Sequence, residues 1–320
     1  MVTRKLIRVG TRGSTLALRQ TELVLQRLKP AWPDVVFEVV TVTTAGDRDT
    51  TTPVQQLGVG AFVTEVEKAL ADRRIDIGVH SYKDLPTDTP RDFKIAALTE
   101  REDPRDVLVN RWNSRFKALP QGARVGTSSP RRRAQLLSMS PKLKVIPIRG
   151  NVDTRLKKCL EERPFQYDAV VLAAAGLARI GRLDVVAEFL DPTSFVPAVG
   201  QGIIALETRT SDVFAASLLK VVDDAESRIV ATAERSFLKE VGGGCLTPLG
   251  AFARIEQGAL GVFAFISDPD GRRAVRDVVS GPPADAAQLG KILATRMLDR
   301  GARKLLAEAP GEESAEATDG

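Results

Sequence analysis

Residues 123–136 read ARVGTSSPRRRAQL: a short strand-like run, a turn of Gly, Thr and Ser, and a stretch with helical periodicity that begins at a proline. Proline suits the first turn of a helix because no backbone N–H is needed there, and Ser128 or Ser129 can cap that helix. The same unit recurs along the first two thirds of the chain, with strand-like runs at 6–9, 145–148 and 169–172. This repetition predicts an α/β fold with largely parallel strands, whose ligands bind at the carboxyl ends of the strands.

The last third of the chain has a different pattern. A long helical stretch ends at Val241, three strand-like runs follow near 249–255, 259–266 and 273–279, and a helix is predicted from Ala284 to Ala307. The sequence DPDG at 268–271 is a strong turn signal. We therefore expect a small separate α+β domain here, followed by an acidic, disordered tail at 310–320.

Composition restricts the class of protein. The 320 residues are 43% hydrophobic and 27% charged, and no apolar run approaches the roughly 20 residues that span a bilayer. The N-terminus leads into a strand-like run without an apolar signal core, which favours the cytoplasm. Two cysteines and one histidine give no disulfide framework and no typical zinc site, so no metal is expected. The net charge of +5 suggests an anionic partner.

Arginines accompany most of the predicted strand-to-helix turns. A helix N-terminus offers free N–H groups, and a guanidinium adds a planar fork that matches a carboxylate. We expect six of these residues to converge on one cleft that binds a polyanion: Arg12, Arg131, Arg132, Arg149, Arg155 and Arg179. Because residues 131–133 repel one another beside a positive helix end, an anion is expected from outside the chain. Any single arginine could instead be solvated or pair with a carboxylate.

A second candidate lies in VHSYKDLP at 79–86, a strand that ends in Lys83 and Asp84. Beside a basic cleft, Asp84 could interact with a cationic intermediate or protonate a leaving amine. The alternative is a structural turn aspartate. His80 is expected to be a hydrogen-bonded structural residue rather than a catalytic base.

The third candidate is Cys245, which follows three glycines at 242–244. Such a turn can present the thiol as a nucleophile, although a buried inert thiol is the commoner outcome. Cys159 lies in a helical pattern and is expected to be structural.

Eight segments together resemble the porphobilinogen deaminase family, also called hydroxymethylbilane synthases, over residues 4–309. They are TRGSTLALRQ at 11–20, VHSYKDLP at 79–86, EREDPRD at 100–106, GTSSPRRRAQL at 126–136, IRGNVDTRL at 148–156, LAAAGLARIG at 172–181, VPAVGQG at 196–202 and AERSFLKEVGGGC at 233–245. Ordered motifs of this length rarely coincide by chance. The resemblance implies three domains, formed by residues 1–102 with 200–220, by 103–199 and by 221–309.

By this resemblance the first two domains are alike, have mixed, mainly parallel sheets like those of periplasmic solute-binding proteins, and enclose the active-site cleft. The third domain would carry Cys245 on a loop. The implied enzyme is a transferase of tetrapyrrole and haem biosynthesis that condenses four porphobilinogens head to tail, then uses water to release hydroxymethylbilane. A dipyrromethane cofactor would be attached to Cys245 by a thioether link and serve as the primer, while Asp84 would assist loss of ammonia. Every pyrrole brings an acetate and a propionate, so the growing chain is a polyanion that suits an arginine-lined cleft.

The remaining site residues implied by the resemblance bind cofactor or substrate carboxylates. They are Arg12, Ser14, Lys83, Thr127, Ser128, Ser129, Arg131, Arg132, Arg149, Gly150, Arg155, Arg179 and Gln201, the last of which is near the domain crossing. Phe62 would belong to a mobile lid. Some relatives have lysines in this lid where the chain has Gln55, Gln56 and Val59, so the lid's part in carboxylate binding is open.

Two other classes of protein remain open. A non-catalytic solute-binding protein of the same architecture would need neither Asp84 nor Cys245 and would usually have an export signal. A nucleic-acid-binding protein is suggested by charge alone, and 5% aromatic residues without aromatic–basic interleaving give little support for base stacking. We expect a cytoplasmic monomer that binds porphobilinogen and neither nucleic acid nor membrane.

Overall fold

The computed structural model describes residues 6–43, 63–243 and 247–307, which form three β-sheets flanked by helices. In chain order the strands are β1 (Leu6–Arg12), β2 (Val36–Val42), β3 (Ile77–Ser81), β4 (Phe93–Leu98), β5 (Asp106–Asn110), β6 (Arg124–Gly126), β7 (Lys144–Ile146), β8 (Ala169–Ala173), β9 (Glu188–Phe189), β10 (Ile204–Arg209), β11 (Leu249–Glu256), β12 (Ala259–Ser267) and β13 (Ala274–Gly281). The helices are α1 (Thr15–Ala31), α2 (Thr64–Ala71), α3 (Pro130–Met139), α4 (Val152–Leu160), α5 (Ala174–Arg179), α6 (Val213–Leu218), α7 (Ala225–Val241), α8 (Ala286–Met297) and α9 (Arg303–Ala307). The predicted α/β class is confirmed.

The first sheet has five strands in the order β2-β1-β3-β10-β4. Strand β1 runs parallel to β2 and β3, whereas β10 is antiparallel to both of its neighbours, β3 and β4. The chain therefore leaves this sheet after β4 and returns to its interior only as β10. Because β1 and β3 are parallel, their carboxyl ends, at Arg12 and Ser81, lie at the same edge of the sheet.

The second sheet repeats this pattern in the order β7-β6-β8-β5-β9. Strand β6 is parallel to β7 and β8, and β5 is antiparallel to β8 and β9. Alternate residues of β5 face different layers: Leu108 packs with Leu136 of α3, and Val107 packs with Leu156 of α4. Both faces of the sheet are thus covered by helices, which explains why its strands are apolar throughout.

The third sheet is an antiparallel meander of β11, β12 and β13, and helices α7 and α8 pack against it and against each other. The two helices approach closely at Gly290, where a Cβ atom would lie 2.3 Å from the carbonyl oxygen of Ala233. The hairpin predicted at 268–271 is present between β12 and β13. The division of the chain into three domains with the boundaries given above remains a prediction.

The helix predicted from Ala284 to Ala307 is interrupted. Helix α8 ends at Met297, a π-helical turn covers Leu298–Ala302, and α9 follows. Gly301 has φ 103°, a value that only glycine adopts readily, and this residue breaks the regular helix. In the part of the chain that the structure describes, no helix is both long and apolar enough to cross a membrane. The tail at 310–320 lies outside the described residues.

Candidate active site

A cleft lies where the carboxyl ends of strands from the first two sheets meet. Its lining includes Lys83 beyond β3, Arg132 of α3, Arg155 of α4, Arg179 of α5 and Gln201 of the returning segment. The enclosed part of this cleft has a volume of about 90 Å³. A larger, open depression of about 600 Å³ around Arg111, Trp112 and Phe165 contains none of the predicted site residues. We assign the site to the smaller cleft because four cations from different elements converge there.

Arg131 and Arg132 are held by one buried carboxylate, that of Asp106 at the start of β5. Arg131 Nη1 donates to Asp106 Oδ2 at 2.7 Å, and Arg132 Nη2 donates to Asp106 Oδ1 at 2.7 Å. Burial alone would raise the pKa of Asp106, but the two guanidiniums outweigh it and hold this pKa well below its usual value. Part of the charge at 131–133 is thus balanced within the chain, because β5 brings Asp106 beside Arg131 and Arg132, while the anion expected from outside the chain remains a prediction.

The local sequence explains how α3 presents this pair. Ser129 caps the helix, since its Oγ accepts from the backbone N–H of Arg132 at 3.4 Å, and Pro130 occupies the first turn. Arg131 and Arg132 point inward, where they also donate to backbone carbonyl oxygens. Arg133 is directed outward and forms an exposed ion pair with Asp270 at 3.0 Å. Two of the three consecutive arginines therefore point inward, and one of them, Arg132, lines the cleft.

Lys83 and Asp84 follow β3 on a single 3₁₀ turn, Tyr82–Asp84. Lys83 Nζ donates to Gln201 Oε1 at 3.4 Å. Burial lowers the pKa of Lys83 to about 8, and Asp84 opposes this shift. Asp84 itself is exposed, and its charge acts on both Lys83 and Arg155. The structure thus places Asp84 at the rim of the basic cleft.

Arg155 and Arg179 close two further sides of the cleft. Asn151 caps α4, and Arg155 Nε donates back to the carbonyl oxygen of Gly150 at 2.8 Å. Burial, together with the charges of Arg132 and Arg149, lowers the pKa of Arg155 to about 10. Burial also lowers the pKa of Arg179 to about 10. Several partly buried positive charges thus lie together in this cleft.

The predicted hydroxyl residues build the turns of the site. Ser14 caps α1, Thr127 Oγ1 accepts from the Ser129 backbone N–H at 3.2 Å, and Ser128 Oγ donates to the Ile148 carbonyl oxygen at 2.8 Å. Arg12 is the last residue of β1, at the edge that faces the cleft. Carboxylate binding by these four residues remains a prediction.

Some predicted residues lie outside the cleft or outside the described residues. Cys159 is fully buried, and burial raises the pKa of its thiol to about 12, in agreement with a structural role. His80 is also buried and lies 3.1 Å from Glu207 Oε2, as expected for a structural histidine. Cys245, Phe62 and the lid positions Gln55, Gln56 and Val59 lie outside the described residues.

Sequence reasoning missed the role of Asp106 and the contacts of Gln201. Gln201 is fully buried, and its side chain contacts both Asp106 and Lys83. The available signal was an acidic residue placed directly before the apolar run 107–109, because a charge at the start of a buried strand needs a partner. Nothing in the spacing indicated which arginine that partner was.

Two family models match the chain. "Porphobilinogen deaminase, dipyromethane cofactor binding domain" matches residues 7–217, and "Porphobilinogen deaminase, C-terminal domain" matches residues 229–299. The porphobilinogen deaminase of Thermus thermophilus is 45% identical over 95% of this chain and 99% of its own length. That of Roseiflexus castenholzii is 46% identical over 95% and 99%, respectively.

Solved structures of solute-binding proteins overlap more weakly. The periplasmic aliphatic sulphonate binding protein SsuA from Escherichia coli gives a TM-score of 0.38 at 15% identity, over 69% of this chain and 68% of that chain. An overlap of this size supports no functional conclusion. The family models and the near full-length relatives decide the assignment: the chain belongs to the porphobilinogen deaminase family.

Proposed function

We propose that this chain condenses four porphobilinogens head to tail on a dipyrromethane primer and then releases hydroxymethylbilane by hydrolysis. The observation that carries the proposal is the cleft between the first two sheets, where Lys83, Arg132, Arg155 and Arg179 converge at the carboxyl ends of strands. Porphobilinogen brings two carboxylates per pyrrole, so substrate and product are both polyanions. A cleft lined by guanidinium and ammonium groups matches that chemistry.

The residues present fit a cofactor that carries carboxylates. Burial lowers the pKa values of Lys83, Arg155 and Arg179, so each of these cations is destabilised until an anion reaches it. Arg131 and Arg132 together carry one more positive charge than Asp106 neutralises. When bound, the dipyrromethane supplies the pyrrole end to which the first substrate is joined. Arg131 and Arg132 would hold its carboxylates, while Arg12, Arg149, Arg155 and Arg179 would meet incoming or elongated substrate.

Asp84 is the proposed catalytic residue. Its exposed carboxylate lies beside Lys83 at the rim of the cleft, within electrostatic reach of Arg155. There it would assist departure of ammonia from the bound substrate and stabilise the positive charge that develops on the carbon left behind.

We propose Cys245 as the residue that forms the thioether link to the cofactor. The chain has two cysteines, and the other, Cys159, is fully buried in the core beside β5 with a pKa of about 12. A thiol in that position forms too little thiolate to act as a nucleophile. We further propose a monomer that acts in the cytoplasm without nucleic acid.

The mass of the purified protein tests this function. We expect it to exceed the mass of the chain by two porphobilinogens less two ammonias, with the addition on the peptide that contains Cys245. Cys245→Ser should lack the addition and the activity, because an alkoxide forms far less readily than a thiolate. Cys159→Ser is the matched control and should keep both. An active protein without added mass would refute the proposal.

A second prediction concerns Asp84. Asp84→Asn should retain the added mass while its turnover falls at least about a hundredfold, as expected for loss of acid–base and electrostatic assistance. Steady-state formation of product from porphobilinogen measures this change. Asp88→Asn is the control. Asp88 lies on the same segment as Asp84, and its exposed carboxylate pairs with Lys239. Equal turnover of Asp84→Asn and wild type would contradict a catalytic role for Asp84 and favour a structural one.

A further inference from the structure

Gln201 lies where the chain returns from the second sheet to the first, and its side chain is fully buried. Its amide nitrogen donates to the carbonyl oxygen of Pro104 at 2.8 Å and to Asp106 Oδ1 at 3.1 Å. Its amide oxygen accepts from Lys83 Nζ at 3.4 Å, and its backbone carbonyl oxygen accepts from Arg101 Nε at 2.8 Å. Gln201 therefore joins the two segments that connect the sheets: it lies in the returning segment and contacts Arg101 and Pro104 of the segment that leaves the first sheet.

These contacts fix the orientation of the amide. If the group were rotated by 180°, its N–H groups would face the Lys83 ammonium and its oxygen would face the Asp106 carboxylate, and both contacts would be repulsive. A continuous chain of hydrogen bonds therefore runs from Lys83 through Gln201 to Asp106, and from Asp106 to Arg131 and Arg132. It links a cation beyond β3 of the first sheet to the arginine pair of the second.

We propose that Gln201 is a positioning residue, which holds the Lys83 ammonium at a set distance from the Arg131–Arg132 pair across the boundary between the two sheets. The functional meaning rests on the proposed function, because carboxylates of cofactor or substrate would bind between these cations. Gln201 acts through Lys83 and Asp106 and need not touch the reacting atoms.

The charge state of Lys83 reports on this contact. Four charges act on Lys83: those of Asp84 on its own turn, Asp106 on β5, and Arg131 and Arg132 on α3. Arg155 and Arg179 line the same cleft. An acceptor at the position of the Gln201 oxygen favours the charged ammonium, whereas burial and the arginines oppose it. Removing the acceptor should lower the pKa of Lys83, and placing a carboxylate there should raise it.

The experiment compares Gln201→Met, Gln201→Glu and wild type. Each full-length protein is labelled briefly with acetic anhydride at a series of pH values, and the acetylation of Lys83 is followed by peptide mass spectrometry. Cofactor occupancy is read from intact mass, so that molecules of the same loading are compared. We expect the labelling midpoint of Lys83 to rise by about one pH unit in Gln201→Glu and to fall by about half a pH unit in Gln201→Met. The second oxygen of the Glu side chain would face the Asp106 carboxylate, so Gln201→Glu should also be less stable than Gln201→Met.

Gln135→Met is the matched control. Gln135 is equally buried and bonds the same returning segment, because its amide accepts from the Val196 N–H at 2.7 Å and donates to the Val196 carbonyl oxygen at 3.0 Å. It should lower the thermal unfolding midpoint without moving the Lys83 labelling midpoint. The proposal is overturned if both Gln201 variants titrate like wild type, or if Gln135→Met shifts Lys83 as far as Gln201→Met does. Neither result depends on turnover, whereas failure of the proposed function would appear as absence of the mass addition in the wild type.

Discussion

At the scale of single residues, Asp106 has the clearest energetic role, since its carboxylate is the counter-charge for two buried guanidiniums. Asp106→Asn removes that charge without changing the size of the side chain. We expect the free energy of unfolding to fall by about 3–5 kcal/mol, because Arg131 and Arg132 then remain buried and charged. Urea denaturation measures this loss. Asp270→Asn is the control, because it removes the exposed partner of Arg133, which lies on the same helix as Arg131 and Arg132. It should lower the free energy of unfolding by less than about 1 kcal/mol.

The same residue predicts a dependence on pH. Because the pKa of Asp106 is lower in the folded protein than its ordinary value, the folded state binds fewer protons than the unfolded state as the carboxyl group titrates. The stability that Asp106 contributes is therefore present above the ordinary aspartate pKa and is lost as the pH falls towards the folded value. Asp106→Asn should lack this part of the acid-induced loss. Parallel acid profiles of the two proteins would contradict the assigned ion pairs.

Residue by residue, the sequence predicted the basic groups of the site better than their partners. Arg132, Arg155 and Arg179 follow turn motifs that are visible in the chain, and they do line one cleft. The role of Asp106 was not predicted, because the two arginines that it pairs with lie 25 and 26 residues away in the sequence. They meet it only because β5 enters the second sheet antiparallel beside β8, and hydrophobic periodicity does not encode that pairing.

At the scale of elements, the turn before α4 sets the position of Arg155. Gly150 has φ 109°, and a Cβ atom there would lie 2.6 Å from Thr154 Cγ2. Gly150→Ala should therefore combine backbone strain with a clash, displace the first turn of α4 and weaken binding of porphobilinogen. Gly122→Ala is the control, since Gly122 has φ 75° with open space around it. Thermal unfolding should show a loss of stability of roughly 1 kcal/mol for Gly122→Ala and a clearly larger loss for Gly150→Ala.

Element types were predictable where local pattern decides them. The strand–turn–helix units around Ser129 and Asn151 follow from capping residues and apolar runs, and both caps are formed. The interruption at Gly301 was missed, because an isolated glycine is tolerated inside many helices and its φ depends on the packing around it. The placement of β10 between β3 and β4 was also beyond local pattern, since it depends on a strand more than 100 residues away from its partners.

At the scale of the whole molecule, Glu234 of α7 ties the third sheet to both connecting segments. Its buried carboxylate accepts from Arg101 Nη1 at 2.6 Å, from the Gly200 N–H at 2.7 Å and from the Ala253 N–H at 2.8 Å. Glu234→Gln turns an amide NH₂ towards these donors, and we expect a loss of about 3–5 kcal/mol. Calorimetry should then resolve a separate unfolding transition for the segment that contains the third sheet.

Lys239→Met provides the control for this change. Lys239 lies on the same helix, and its ion pair with Asp88 is exposed at both ends. Its replacement should change the stability by less than about 1 kcal/mol and leave the calorimetric profile as a single peak. If Glu234→Gln gave the same profile as Lys239→Met, the buried carboxylate would not be what couples the third sheet to the rest.

The insertion of β10 into the first sheet also governs how the protein can fold while it is being made. The second sheet needs only residues 106–189, whereas the first needs a strand that leaves the ribosome after all of them. The middle of the polypeptide can thus complete its sheet before the beginning does, which reverses the usual N-terminal-first order. Until residues 204–209 emerge, β3 has an open hydrogen-bonding edge and β4 has no neighbour in the sheet. The nascent chain is then most exposed to wrong pairing and has most need of a chaperone.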